Sequence, residues 1–398
     1  MGGAAVIFKK PQRDLVGSTA MLVVKRQARP RVEVARNTQP SDRRRPPTTR
    51  PTETDTTNTT ASASDRAEAF KNQGNTYYDL GQFAQAIDAY QNALKATPND
   101  FMTYNNLGAA YFSLNRNREA AEAFKKATTI KADDPEAHFN LGIAYSATNR
   151  LNEALAEFKR AVELKRDWAE AHNALGDTLL SLNRYDEASA EYQQTVRLQP
   201  NNAGAYSSLG YAYDQLGRSN ESITALRNSV RLKPDDPVAY NNLGPSLYKA
   251  GQYQDAIEAF SNSVRLKPND ADALNNLGAA YYVAEQYSRA LENFSRAAAI
   301  KSDSSEIQYN LGNAYYMSGN YRDSTTAYRK ALQINPDYVD ARTNLGSLLI
   351  ASADYPQAIT ELQTSIRRKA DNPVAHNNLG FAYVKLGETL DRTRAVEN

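Results

Sequence analysis

Asparagine stands at Asn72, Asn106, Asn140, Asn242, Asn276, Asn310, Asn344 and Asn378, positions that differ by 34 or a multiple of 34. A second asparagine often comes directly before, at Asn105, Asn173, Asn241, Asn275 and Asn377, as in YNNLG at 104–108. A carboxamide carries two N–H donors and a carbonyl acceptor, and an extended backbone presents one donor and one acceptor per residue. Evenly spaced amides therefore suit the backbone of an extended segment without demanding its sequence. They suit equally a bond to a neighbouring helix that sets how successive elements stack, since helix-borne amides also bond locally. The residue types leave both readings open.

Other chemistry is sparse. The three histidines, His138, His172 and His376, share one place in the 34-residue period and read as packing residues, because no Cys is present and no acidic partner stands at ligand spacing. Without Cys there is no disulfide, thiolate metal site or Cys nucleophile. No P-loop, dinucleotide fingerprint or G-x-S-x-G elbow occurs. The expectation is a protein with no cofactor, no metal and no catalytic activity.

Charge divides the chain near residue 65. Up to Asp65 there are 12 Lys+Arg and 6 Asp+Glu, which leaves 35 and 39 of the totals of 47 and 45 for the remainder. The stretch RRRPPTTRPTETDTTNTTASAS from Arg43 has almost no large apolar side chain and cannot bury enough surface to balance its ordering entropy. Residues 1–65 therefore read as a disordered basic tail. Its longest apolar run, LVGSTAMLVV, is too short for a bilayer span and is followed by Lys25 and Arg26 rather than a cleavage site. A cytoplasmic protein without a membrane segment is the expectation.

Residues 66–398 follow a single period. Gly recurs every 34 residues from Gly74 to Gly380 without an insertion. With each repeat numbered from Ala67, Leu fills slot 7 in nine of ten, Tyr slot 11 in seven of ten, Ala slot 20 in seven of nine and an aromatic slot 24 in seven of nine. Slots 4, 7, 8 and 11 share one helical face, and slots 20, 24, 27 and 28 share another, so each repeat predicts two amphipathic helices, A and B. Gly or Asn at slot 15 ends helix A in the left-handed region. Asp, Asn or Ser at slot 34 caps the next helix in seven of nine junctions. Gly at slot 8 and Ala at slot 20 are expected to meet where the two helices cross, with larger neighbours such as Phe124 beside them.

These residues resemble the tetratricopeptide repeat, whose pattern has Leu-Gly, Tyr, Ala, aromatic and Pro at these spacings. The likeness implies an all-α fold, an α-solenoid of about ten tandem hairpins wound as a right-handed superhelix, the last one incomplete. Slot 4 departs from the family's Trp; Gln308 and Arg342 there predict looser packing. The family likeness also implies that slots 2, 5, 9, 12 and 13, with slot 6 at their flank, line a concave groove. The asparagine series is similar to those of the repeat arms of O-linked N-acetylglucosamine transferases. On that basis the expected function is a non-catalytic scaffold that binds extended segments of other proteins, or alternatively the recruiting arm of a separate enzyme such as a glycosyltransferase.

Aromatics at slot 12, Tyr78, Phe112, Tyr248, Tyr282 and Tyr316, either anchor a ligand's side chains or pack on helix A of the next repeat. Lys71, Asn75 and Asn106 match three positions of the family's clamp for a C-terminal carboxylate, but Glu136 and Asn140 stand where cations are needed, so a complete clamp is not expected. Slot 2 holds Glu68, Glu136, Glu170, Asp272, Glu306 and Asp340, an acidic series that repels nucleic acid. Pro245 is expected to kink helix A of the sixth repeat at a cost of about 3 kcal/mol.

Overall fold

A computed structural model of the chain describes residues 62–397; among them the fold is all-α, with nineteen helices and no strand. The expected disordered tail lies outside the described residues except for its last four. Those four open the first helix, Ala63–Asp79. Ser62 accepts from the Asp65 N–H at 3.1 Å, and the Asp65 carboxylate accepts from the Ser62 N–H at 3.1 Å. This reciprocal cap satisfies two of the N–H groups a helix start leaves unpaired. The helical array therefore begins ahead of the expected boundary at residue 66.

The period becomes structure with little variation. Helix A of the second repeat is Phe101–Ser113 and helix B is Asn117–Ile130; the ninth repeat closes with Val339–Ala351 and Tyr355–Arg368. Slot 15 has positive φ throughout these turns: 74° at Gly81, 72° at Gly217, 59° at Asn115 and Asn149, and 60° at both Glu285 and Ala353. All seven polar slot 34 residues cap the following helix; Asp134, for example, accepts from the Ala137 N–H at 3.0 Å and Asn372 from the Ala375 N–H at 3.2 Å.

At the two remaining junctions an aromatic ring takes the cap's place. Trp168 lies 4.5 Å from the Phe139 ring and Tyr338 lies 4.9 Å from Tyr309, centroid to centroid. Both partners sit at slot 5 of the same repeat, where other repeats carry smaller residues.

The crossing of A and B is tighter than a meeting of two small residues. A Cβ built on Gly108 would come within 2.6 Å of the Phe124 ring, and one on Gly176 within 2.8 Å of Tyr192. The slot 24 ring thus lies on the slot 8 glycine itself, and Phe124 is over the crossing rather than beside it. The slot 20 alanines, Ala120 and Ala188 among them, are wholly buried.

Helix A of the sixth repeat, Pro237–Lys249, runs through buried Pro245 without a break. Two expectations need correction. Gly387 does not end a helix: it lies inside Pro373–Glu397, a 25-residue helix that follows the ninth hairpin. Packing is not looser at slot 4 of repeats eight and nine, since Gln308 is buried and Arg342 pairs with Glu361 at 2.5 Å while donating to the Pro336 carbonyl at 2.7 Å.

The described chain forms two compact units, residues 62–216 and residues 217–397. In the second, Leu226, Leu243, Phe260, Leu277, Phe294 and Leu311 belong to one apolar core, and Tyr309, Tyr328, Leu345, Leu348 and Leu362 to another.

Candidate functional site

The slot 6 asparagines lie almost entirely below the surface. Asn106 and Asn242 are 2% exposed, Asn310 1%, and Asn140, Asn276 and Asn378 wholly buried. The nitrogens of Asn106, Asn140, Asn276, Asn310, Asn344 and Asn378 are committed to the preceding repeat. Asn140 donates to Asn105 Oδ1 at 3.1 Å, Asn276 to Asn241 Oδ1 at 3.2 Å and Asn310 to Asn275 Oδ1 at 3.0 Å, so that slot 6 bonds slot 5 one repeat earlier. Asn106 instead donates to Asn75 Oδ1 at 3.1 Å, Asn344 to Asn313 Oδ1 at 3.2 Å and Asn378 to Ser347 Oγ at 2.8 Å, all at slot 9 of the preceding repeat. Asn72, which has no described repeat before it, is exposed and donates to Glu68 at 3.3 Å. The amide nitrogens therefore join successive A helices, which is the stacking alternative.

The oxygens behave differently. Oδ1 of Asn106, Asn242, Asn310 and Asn344 is buried without a hydrogen-bond partner, as are Asn105 Nδ2 and the Tyr248 hydroxyl. Almost every buried polar group in a protein is satisfied, and leaving one unsatisfied costs about 1–3 kcal/mol. A series of unused acceptors at one slot is thus a chemical feature of the A helices. Neighbouring side chains cover it, so a ligand reaches it only by displacing them.

Slot 9 was not recognised from the sequence as part of this network. Its residue tracks the ring at slot 24: Tyr90 donates to Asn75 at 2.8 Å, Tyr192 to Asp177 at 2.6 Å and Tyr328 to Asn313 at 2.7 Å. Where slot 24 is Phe, slot 9 is Ala109, Ile143, Pro245 or Ala279. The series also breaks at Ala174, where the preceding repeat offers Phe139 and Ile143 and hence no acceptor. At the other break, Ser208, the preceding repeat does offer Asn173 and Asp177. Comparing slots with one another, rather than tallying each alone, would have exposed the link between slots 9 and 24.

The slot 12 aromatics pack on their own repeat, against slot 17 at the start of helix B. Ring centroids are 5.2 Å apart for Tyr78–Phe83 and Tyr248–Tyr253, and 5.6 Å for Tyr282–Tyr287 and Tyr316–Tyr321. Tyr248 and Tyr282 are buried, and burial pushes both phenols well above their ordinary range. Tyr78 also reaches the next helix A through Ser113 Oγ at 3.2 Å. Phe112, Tyr78 and Tyr316 remain partly exposed.

Lys71 pairs with Glu68 at 2.6 Å and lies 3.6 Å from Asp100; burial opposes its charge, but these carboxylates outweigh it and raise its pKa. Several slot 2 acids bond to slot 31 of the same repeat: Glu136 to Lys165 at 3.3 Å, Glu170 to Gln199 at 2.6 Å and Asp272 to Lys301 at 3.6 Å. Glu306 differs. Burial first, and Asp272 second, push it up to about 7 against the opposing effects of Lys301 and a 3.4 Å bond from Asn275.

Two of the three histidines do have acidic partners, each nineteen residues on. His138 Nδ1 is 2.6 Å from Glu157 and its Nε2 is 3.2 Å from the Ala132 carbonyl; His172 makes the same contacts with Glu191 at 2.6 Å and Arg166 at 2.9 Å. Both ring nitrogens face acceptors, an arrangement only the imidazolium satisfies twice. For His172 the Glu191 bond is the largest influence, and for His138 burial is opposed and exceeded by Glu157; both pKa values are raised. His376 Nε2 meets the Ala370 carbonyl at 2.8 Å. Among the described residues no group of three His, Cys, Asp or Glu is placed to hold a metal, and no helix is long and apolar enough to cross a membrane.

A family model described as the Cilia and flagella-associated protein 70 C-terminal domain matches residues 130–335. Models described as TPR repeat and Tetratricopeptide repeat match residues 74–115 with 108–149, and 318–380, respectively. A comparison with curated proteins returned no match. Among solved structures, that of MamA protein is 28% identical over 43% of this chain and 93% of its own, with a TM-score of 0.41. YrrB, described as a TPR protein with an unusual peptide-binding site, is 28% identical over 47% of this chain and 96% of its own, at 0.43. The APC/C hetero-tetramer Cut9-Hcn1 is 17% identical over 82% of this chain and 78% of its own, at 0.49.

Proposed function

Because the chain belongs to the tetratricopeptide repeat family, we propose that it is a non-catalytic scaffold that binds extended segments of other proteins along the face built from its A helices. The observation that carries this reading is the series of unused amide oxygens at Asn242, Asn310 and Asn344 in the unit spanning 217–397, with the same feature at Asn106 in the unit spanning 62–216. An extended backbone supplies N–H donors that these acceptors lack, and desolvated acceptors gain most from a new donor. Asn105, Asn140, Asn241, Asn275, Asn276 and Asn378 hold the series in place through their bonds between repeats. Partly exposed Lys71, Asn75, Tyr78, Phe112 and Tyr316 border it, and Tyr248 and Tyr282 support the same face from below.

The test is selection from a displayed library of unstructured 12-residue peptides by the full chain, followed by affinity measurement with Asn242→Ala and Asn310→Ala and, as control, exposed Gln254→Ala on a B helix. Selected peptides should bind the two asparagine variants about tenfold more weakly, near 1.4 kcal/mol, and the control unchanged. Failure to select any peptide, or equal binding by variants with unaltered melting, would overturn the reading.

A further inference from the structure

Resting on that reading, we propose that the A helices of repeats seven to nine seat a lysine or arginine side chain of the bound segment at Glu306, flanked by the slot 2 carboxylates Asp272 and Asp340. The three acids occupy one slot in consecutive repeats of a single compact unit. Lys301 pairs with Asp272 at 3.6 Å, whereas among the described residues no cation pairs with half-buried Glu306. Among the described residues its carboxylate accepts from the Asn275 amide at 3.4 Å alone, and it sits where burial and Asp272 disfavour its charge more than Lys301 favours it.

A second, independent feature lies one helical turn away on the same helix face. Asn310 is 1% exposed, its nitrogen bonds the same Asn275 at 3.0 Å, and its oxygen has no partner. An ammonium or guanidinium has several donors and no acceptor. At pH 7 and above, where a free imidazole is mostly neutral, such a group neutralises Glu306 while donating to an amide oxygen nearby. A surface for its aliphatic stem is also present: partly exposed Tyr338, held against the buried Tyr309 ring at 4.9 Å, feels the charge of both Glu306 and Asp340. A carboxylate or phosphate at this place would be repelled by three acids.

The experiment uses the full chain and the peptides selected as above. Those peptides should share Lys or Arg at one position, and replacing that residue with norleucine should weaken binding at least tenfold. Glu306→Gln should cause the same loss with the basic peptide and no further loss with the norleucine peptide, while Asp340→Asn causes a smaller one; melting of each variant checks its fold. Raising NaCl from 50 to 300 mM should narrow the difference between the two peptides. Selected peptides without a shared basic residue, or a Glu306→Gln variant that binds them unchanged while Asn310→Ala weakens them, would sink this inference and leave the scaffold reading standing. A library that yields no binder overturns both.

Discussion

At the scale of single residues Asn106, Asn310 and Asn344 carry a duty through their nitrogens, which bond the preceding repeat, and keep their oxygens unused. Asn140 is the donor that holds Asn105, whose own nitrogen already has no partner. Asn140→Ala therefore leaves a buried carboxamide unsatisfied at both ends, and urea unfolding should show a loss of about 1–3 kcal/mol. Adding Asn105→Ala should recover part of that loss, because an absent amide costs less than an orphaned one. Ala174→Asn tests the same rule in reverse: with Phe139 and Ile143 before it, a new buried amide finds no acceptor and should destabilise the chain by a comparable amount. The duty between repeats was partly open to a reader of the sequence, since the break at Ala174 falls where Phe139 and Ile143 offer no acceptor, although the break at Ser208 follows Asn173 and Asp177, which do. How deeply the amides are buried was not open, because that depends on how closely successive A helices approach, which a 34-residue period does not specify.

At the scale of the hairpin, pattern and structure agree wherever a slot answers to one demand. Slot 15 needs a left-handed residue, and Gly or Asn there marked the turn correctly. Slot 34 needs a cap, and the seven polar residues provide one. The reading failed where two slots trade roles, as at Trp168 and Tyr338, which give up the cap to stack on Phe139 and Tyr309. It failed again at Gly387, where a left-handed signal has no helix B behind it to make the turn favourable. Ala353 holds φ 60° in an exposed turn with a Cβ that opposes that conformation. Its replacement by Gly removes the steric cost of about 1–2 kcal/mol but adds chain entropy on unfolding, so Ala353→Gly should stabilise by about 0.5–1 kcal/mol in urea titrations. The opposite applies at Gly176, where a Cβ would meet Tyr192 at 2.8 Å: Gly176→Leu should cost about 1–3 kcal/mol by overpacking, and replacing Tyr192 with a smaller residue in the same chain should return part of it.

At the scale of the whole chain the two compact units differ in how they carry a positive charge at slot 4. The unit spanning 62–216 uses His138 and His172 against Glu157 and Glu191, opposed by Arg160 and Arg197; the unit spanning 217–397 uses Arg342 against Glu361. Raised histidine pKa values mean that the folded state holds these protons more tightly than the unfolded chain does. Their contribution is therefore complete below the ordinary histidine value and is lost as pH rises through the raised one. Repeat nine has no histidine in this role. Glu306, raised to about 7, adds a separate local effect in repeats seven and eight: its ionisation as pH climbs from the ordinary carboxylate value opposes folding there. Hydrogen exchange between pH 6 and 8.5, corrected for intrinsic rates, should show protection falling in repeats three and four and holding in repeat nine. His138→Gln with His172→Gln should flatten the first response and leave repeat nine as it was. Equal loss of protection in repeats four and nine would show that the imidazolium pairs do not set the pH response of the 62–216 unit.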